Sequence, residues 1–586
     1  MKFKILDRVN SVEDLRKLNI DELKPLAQDI RKTILHRVGE VGGHLSSNLG
    51  VVEATIAIHY VFDTPNDKLV LDVSHQCYTH KILTGRKDAF IEPKKYSVAG
   101  FTNMLESEFD IFNVGHTSTS ISLATGLAKA RDYAGGQENV IAFIGDGSLS
   151  GGEAFEGFNN AGDLNSNFIV IINDNEMSIA GNSGALYKNL YELRQSKGKC
   201  KNNYFRCLGF DYRYVEKGND VAKVVEVLQS VKNIRRPIVI HLHTLKGKGY
   251  PFAVDKKEKY HNIKAFDIKT GREKAINLVE TYSSYIAKYL GEKIESDNKI
   301  VVINSAISGS LHLVEFRDKY KDNYIDVGIA EEHAVAMASG MARFGQVKPV
   351  VLFVSSFMQR TYDQMMQDLS LNNTPVVVVV ECAGIDSGEP THVGMYDIPM
   401  ISNIPNLTYI APRDKEELQA MIDYAIDYDK PIAIRVPSGY IAERVDGTNV
   451  SPIEYGKYEV VHSGKNVAIL ALGKFYNLAI EVKEKLYADY GMDVTIVNPR
   501  FITNVDTDTL DMLAQNHTIF VTLEDGVLDG GWGEKISRYM ASKYGDKRVY
   551  CFGAKKEFVP RIKKADIMER YGLTVDNICK VIISSM

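Results

Sequence analysis

No apolar run in the 586-residue chain approaches the roughly 20 residues that a membrane-spanning helix needs, so none is expected. Cysteine is scarce. The six lie at positions 77, 200, 207, 382, 551 and 579, and none forms a C-x-x-C pair, which argues against a zinc ribbon or a thioredoxin-like site. A reduced, cytoplasmic setting is the simplest expectation. Neither sign of charge dominates: 70 basic and 75 acidic side chains give a net charge of −5. That balance leaves no electrostatic footprint for nucleic acid or an anionic membrane. The local cluster Lys197, Lys199 and Lys201 sits in a polar stretch and reads as a solvated loop. Residues 1–10 alternate charge with apolar side chains and lack the core of a secretory signal. There is no short-period repeat and no low-complexity tract.

What is present is an ordinary globular composition, 45% hydrophobic and 25% charged, in a chain too long for one core. Short β-rich runs alternate with helical patterns, the signature of parallel α/β layers. Buried strands are expected at residues 69–73, 140–144, 168–172 and 238–242, then at 301–304, 349–354, 376–380 and 432–435. A third set follows at 467–472, 494–497, 519–523 and 549–552. Polar segments at 291–299 and 446–465 separate the sets, so three α/β domains are expected, 1–294, 295–459 and 460–586. Each would hold a mainly parallel sheet flanked by helices. Such sheets place their ligands at strand ends.

The strongest local signal is Gly145-Asp146-Gly147, directly after the strand at 140–144. A second strand ends in Asn173-Asp174-Asn175, with one helix, residues 152–161, between the two. This β-α-β unit brings Asp146 and Asn175 to neighbouring strand ends. They are hard oxygen ligands, suited to Mg2+ or Ca2+ rather than zinc. With one charge between them, water and phosphate oxygens must complete the shell. The glycines let the backbone approach a diphosphate, and the following helix start favours anions. Taken singly, each tripeptide also reads as a tight turn.

The G-D-G…N pattern resembles that of thiamine-diphosphate enzymes of the transketolase type, and within them the 1-deoxy-D-xylulose-5-phosphate synthase family. The likeness runs nearly end to end. It passes through Gly42-Gly43-His44, Asp72-Val73-Ser74-His75-Gln76, Gly115-His116-Thr117-Ser118 and Asn175-Glu176-Met177-Ser178-Ile179. It continues through Lys246-Gly247-Lys248-Gly249-Tyr250, Ala330-Glu331-Glu332-His333 and Phe357-Met358-Gln359-Arg360. The resemblance implies a thiamine diphosphate cofactor and Mg2+ held by Asp146, Asn175 and the carbonyl of Met177. It implies that His75, Gly115, His116, Thr117, Gly147 and Ser148 hold the diphosphate end, with Tyr250 a further contact. Ile179 matches the side chain that props the bent cofactor, and Phe357 the aromatic that stacks on its pyrimidine. Phe357 also reads as a plain core residue.

A glutamate in the first turn of a helix, such as Glu331, is ordinarily a dipole-favoured residue. The resemblance instead implies that Glu331 hydrogen-bonds the aminopyrimidine and activates the cofactor. His44, His261 and His392 fall on the family's substrate side, with Arg360 near the same pocket; individually, any of the 14 histidines could be a packing residue. The expected reaction is decarboxylation of pyruvate and transfer of its two-carbon unit to an aldehyde, nominally glyceraldehyde 3-phosphate. The alternatives are a transketolase-like transferase with another donor or a non-phosphorylated acceptor, and a catalytically silent binder. A homodimer is implied, with the cofactor between the first two domains.

Three departures stand out. Residues 190–208 are much shorter than the family's mobile insertion. The family's arginine before Ala-Gly is Cys382, and its R-Y-P-R-G signature reads Arg435-Val436-Pro437-Ser438-Gly439. Both missing arginines are ones expected to grip the acceptor's phosphate. The loop from Gly384 to His392 is also a residue short, leaving Asp386 and Glu389 as candidates to replace its displaced aspartate.

Overall fold

The computed structural model describes every residue except Met1, Ala180, residues 275–278, Ser387, Gly388, Asp446 and Arg561. Ser387 and Gly388, inside the shortened loop noted above, therefore lie outside the described residues. The chain divides into two compact units: Met1–Leu278 with Val327–Ala330, and Val279–Asp326 with Glu331–Met586.

The first unit is built on a five-stranded sheet in the order Lys68–Leu71, Val140–Gly145, Phe168–Asp174, Pro237–His243, Asp211–Val215. Every pairing in it is parallel. The central strands are continuous apolar runs because helices cover both faces. Alternate residues of one strand feed two cores: Ile169 and Ile171 join Leu26, Ile30 and Ile34 of the long helix Ile20–Val41. Phe168, Val170 and Ile172 join Ala124 and Ala128 of Ser120–Tyr133 and Phe158 of Gly152–Ala161. This is the period-two division of a strand meeting helices on both sides. A short antiparallel ribbon pairs Gly43–His44 with Asn262–Ile263.

The second unit holds two sheets. One has six parallel strands in the order Thr408–Ile410, Ile432–Pro437, Val377–Ala383, Lys348–Val354, Ile300–Asn304, Tyr324–Asp326. The other runs Glu459–His462, Thr495–Asn498, Asn466–Ala471, His517–Val527, Arg548–Ala554, parallel except for its first pair. Each buried run expected from sequence falls on one of these strands and overruns it by two residues at most. The strands not foreseen, Asp211–Val215, Tyr324–Asp326, Thr408–Ile410 and Glu459–His462, all sit at sheet edges, where short or polar sequences suffice.

Two expected separators need correction. Residues 291–299 include the last turns of a helix, Tyr282–Ser296, which belongs to the second unit and buries Tyr282, Ile286 and Leu290. Its solvent-facing end is polar enough to read as a linker. Residues 446–465 contain the edge strand Glu459–His462. Among the described residues no helix is long and apolar enough to cross a membrane.

Candidate active site

In the first unit the ladder pairs Gly145 with Asn173, so the chain leaves two adjacent strands at the same level. Asp146 opens a 3-10 turn, Asp146–Ser150, and is buried. Its Oδ2 accepts the Met177 N–H at 3.0 Å and Asn182 Nδ2 at 2.7 Å. Between Asn175 and Met177 the chain turns through Glu176, at φ 67°, which brings Met177 back onto Asp146. Asn175 Oδ1 is buried and has no hydrogen-bond partner. A buried amide oxygen left so costs about 1–3 kcal/mol unless a ligand completes it. Burial, and then Asp174, push the Asp146 carboxyl above its ordinary range, while Lys246 opposes them. A bound cation would relieve both groups. Among the described residues no three His, Cys, Asp or Glu side chains cluster as a metal cage. Any ion here takes its other ligands from main chain, water or phosphate.

The glycines make room for this arrangement. A Cβ at Gly147 would stand 2.9 Å from Ser178 Cα. One at Gly151 would stand 2.1 Å from Ser118 Oγ, which donates to the Ser148 carbonyl at 2.8 Å. Buried Asp72 accepts the N–H groups of Ser118 at 2.9 Å and Ser120 at 3.0 Å, fixing the turn that carries Gly115, His116 and Thr117 beside Ser148. Ile179 is half-buried just beyond Met177.

Sequence reading missed the supports behind the metal side. Asp174 Oδ1 accepts the Glu176 N–H at 3.1 Å, while its Oδ2 meets His241 Nε2 at 2.9 Å and Arg194 Nη1 at 2.5 Å. Burial works to raise the Asp174 carboxyl, but His241 and Arg194 outweigh it and leave it below the usual range. Tyr187 donates to the carbonyl of Asp146 at 3.2 Å. Arg194 and Tyr187 both come from Ala185–Gln195, at the start of the shortened segment. That segment continues to Tyr204–Cys207 and is closed by Asn189 Nδ2 on the Asn202 carbonyl at 2.6 Å. It forms a compact hairpin tied to the metal-side strand ends. Asp174, the middle residue of Asn173-Asp174-Asn175, was its one visible trace in sequence.

His44, His75 and His261 stand together, with ring centres 5.1 Å, 5.6 Å and 5.1 Å apart around the triangle. The ribbon sets two of them, since the Leu45 N–H donates to the His261 carbonyl at 3.2 Å. Burial, then the nearby Lys246 ammonium, lower His44 to about 4 and hold His261 well below its ordinary value. Both rings are therefore neutral at pH 7 and can offer hydrogen bonds rather than charge. Lys246 is itself buried and donates to the Ser178 carbonyl. Tyr250 is buried against Tyr260 and Phe266, with its hydroxyl donating to the Ile268 carbonyl at 2.9 Å.

In the second unit Glu331 is the first residue of the helix Glu331–Ala342 and is 4% exposed. Burial raises its carboxyl to about 7, although Arg360 Nη1 stands 3.7 Å from Oε2. Phe357 and His392 meet edge to face, ring centres 5.5 Å apart, and His392 Nδ1 lies 2.9 Å from Thr391 Oγ1. Phe357 is half-buried, neither a core residue nor a free one.

The positions expected to grip a phosphate look different. Cys382 has φ 55°, and burial pushes its thiol up to about 12. Ser438 donates its hydroxyl to Asp386. Arg435 is buried and already held, by Asp397 at 2.7 Å and 3.2 Å and by Asp525. It is an internal strut and is not available to an incoming anion.

A family model described as 1-deoxy-D-xylulose-5-phosphate synthase matches residues 6–201. Models described as the transketolase pyrimidine binding domain and the transketolase C-terminal domain match residues 280–442 and 456–578. A protein of Clostridium acetobutylicum named 1-deoxy-D-xylulose-5-phosphate synthase is 38% identical over 627 positions, covering 99% of this chain and 100% of that one. Its namesake in Clostridium tetani is 38% identical over 620 positions, covering 99% of each. Both alignments are longer than the 586-residue chain, so these relatives carry residues that have no counterpart here. A solved transketolase from Leishmania mexicana, 15% identical, aligns over 96% of this chain and 97% of its own with a TM-score of 0.46. With the likeness to both clostridial relatives running the length of the sequence, the chain belongs to the 1-deoxy-D-xylulose-5-phosphate synthase family.

Proposed function

We propose that this chain is a thiamine-diphosphate- and Mg2+-dependent transferase that takes the two-carbon unit of pyruvate, with loss of CO2, and joins it to an aldehyde. The carrying observation is the partnerless buried oxygen of Asn175 beside the uphill carboxylate of Asp146. Those two, with the main chain at Met177, would hold Mg2+, and Gly147, Ser148, His75 and the Gly115–Thr117 turn would hold the diphosphate. Thiamine diphosphate, when bound, supplies the carbon nucleophile and electron sink that side chains lack. The chain's own groups bind, orient and move protons. Glu331, raised to about 7, can both give and take a proton near neutral pH at the cofactor's pyrimidine. Phe357 and Ile179 would pack against the rings. Neutral His44 and His261, together with His392 and Arg360, would direct hydrogen bonds to substrate oxygens. We assign the first domain to the diphosphate side, the second to the pyrimidine side and the third to the carboxy-terminal sheet, in a cytoplasmic homodimer.

A second reading, an acceptor without phosphate, is favoured by Cys382, Ser438 and the internally held Arg435. One assay tests both readings. Purified protein with thiamine diphosphate, Mg2+ and pyruvate is expected to release CO2 in step with ketose formation from glyceraldehyde 3-phosphate or glyceraldehyde. No CO2 with either aldehyde sinks the pyruvate-dependent readings together. Release with glyceraldehyde alone selects the second.

A further inference from the structure

Lys474 lies in the 3-10 turn Gly473–Phe475, at the end of the strand Asn466–Ala471, the place where parallel sheets present ligand groups. Its ammonium is 3.4 Å from the main-chain carbonyl of Ser438 and 5.8 Å from the centre of the Tyr282 ring. Lys474 therefore reaches one of the two positions where the arginine is missing. The charged groups facing it are Asp386, Asp525 and Lys564. Both carboxylates are engaged elsewhere, Asp386 by the Ser438 hydroxyl and Asp525 by Arg435. Among the described residues no carboxylate forms an ion pair with Lys474.

An ammonium has three N–H groups, and here one is directed at a carbonyl. Half-buried, it has lost part of its hydration without gaining an ion pair, and burial and then Lys564 pull its pKa below the ordinary value against the weaker opposing pull of Asp525 and Asp386. A cation in that condition gains from an incoming anion more than a solvated surface lysine does. Arg435, the neighbouring cation, cannot compete because Asp397 and Asp525 saturate it. We propose that Lys474 is the specificity-determining residue that receives the terminal anionic group of a phosphorylated aldehyde acceptor. The assignment rests on the aldehyde-acceptor reading above. A single point charge lacks the bidentate fork of a guanidinium, so the preference it confers is modest, roughly tenfold.

The test is steady-state turnover with saturating pyruvate on Lys474→Met and Lys474→Arg holoenzymes. The ratio of kcat/KM for glyceraldehyde 3-phosphate to that for glyceraldehyde should fall roughly tenfold in Lys474→Met and be retained in Lys474→Arg. The KM for pyruvate should stay in place. Equal losses on both aldehydes, or an unchanged ratio, overturn the assignment. A second arm is independent of turnover. Calorimetric titration of the holoenzyme with glycerol 3-phosphate, and with glycerol as control, should show phosphate-dependent binding that Lys474→Met loses. Should wild type turn over neither aldehyde, the functional reading falls, while this titration still decides whether Lys474 is an anion site. Equal binding of glycerol 3-phosphate by wild type and Lys474→Met overturns it.

Discussion

The metal side of the first unit and the Arg435 patch of the second both gather buried charge, and they treat it in opposite ways. Around Asp146 the polar groups are left short of partners: the Asn175 oxygen has none, and the Asp146 carboxylate is pushed uphill. Around Arg435 the carboxylates are held from within, two on one guanidinium and Asp386 by the Ser438 hydroxyl. Native interiors rarely leave buried polar atoms unsatisfied without a reason. A deficit of this kind marks a place awaiting a ligand, whereas a closed set of ion pairs marks a strut. The deficit in the first unit is what supports the proposed cation and diphosphate there. The part proposed to meet the acceptor has its arginine tied up from within and leaves one lysine without an ion pair among the described residues.

The largest expected effect is at Glu331, which belongs to the deficient class although it lies in the second unit. Glu331→Gln should keep the cofactor but slow hydrogen–deuterium exchange at its reactive carbon by about 10²–10⁴-fold, read by NMR after acid quench. Exchange at the wild-type rate would remove Glu331 from proton transfer. Stability should move the other way. The folded chain holds the Glu331 proton up to about pH 7, while an ordinary glutamate releases it near 4.5. Between those values the folded state binds more protons, so the group's contribution to stability falls as pH rises. Without cofactor, Glu331→Gln should therefore unfold at a higher temperature than wild type at pH 8, with the gap closing toward pH 5.

Next comes the closed set. Arg435→Met leaves Asp397 and Asp525 buried without their counterion, and should cost about 3–5 kcal/mol in denaturant unfolding. A loss below about 1 kcal/mol would mean that the patch is not the strut described. Smaller again, Asp146→Ala should weaken Mg2+-dependent binding of thiamine diphosphate by about 100-fold in calorimetric titration while leaving the unfolding midpoint nearly unchanged. It removes a charge that is already unfavourable where it stands. Unchanged affinity would take Asp146 out of the metal site.

The same contrast explains what could be read from sequence. The placement of Asp146 and Asn175 was legible because a β-α-β unit fixes adjacent parallel strands, and each residue lies within three positions of the end of an apolar run. Their supports were not. Arg194, Tyr187 and His241 reach Asp146 and Asp174 from 20 to 67 positions away, through contacts that no local pattern encodes. The helix Tyr282–Ser296 was taken for a polar link because its exposed face dominates residues 291–299. Most consequentially, the arginine losses were visible at Cys382 and Ser438, but not the lysine that approaches one of them from 36 residues downstream.

The smallest expected effect concerns those losses. Cys382→Arg with Ser438→Arg should raise the ratio of kcat/KM for glyceraldehyde 3-phosphate over glyceraldehyde by about tenfold or more, since charge-assisted contacts to phosphate are each worth about 1.5–3 kcal/mol. The backbone does not forbid the change. Cys382 already holds φ 55°, so an arginine there inherits a strain that any L-residue would bear. At position 438 the incoming guanidinium meets Asp386, which now receives the Ser438 hydroxyl. That carboxylate will orient the new side chain and offset part of its charge, which is why the gain is placed near tenfold rather than at the full value of two arginine contacts. The control is Ser438→Arg with Asp386→Asn, which removes the offset and should widen the preference further. If wild type already favours the phosphorylated aldehyde strongly and the double variant adds nothing, Lys474 alone suffices for the anion and the neutralised patch does not limit acceptor choice. If the preference instead rises with the arginines and rises again when Asp386 is neutralised, the internal neutralisation of this half of the molecule is what sets acceptor choice.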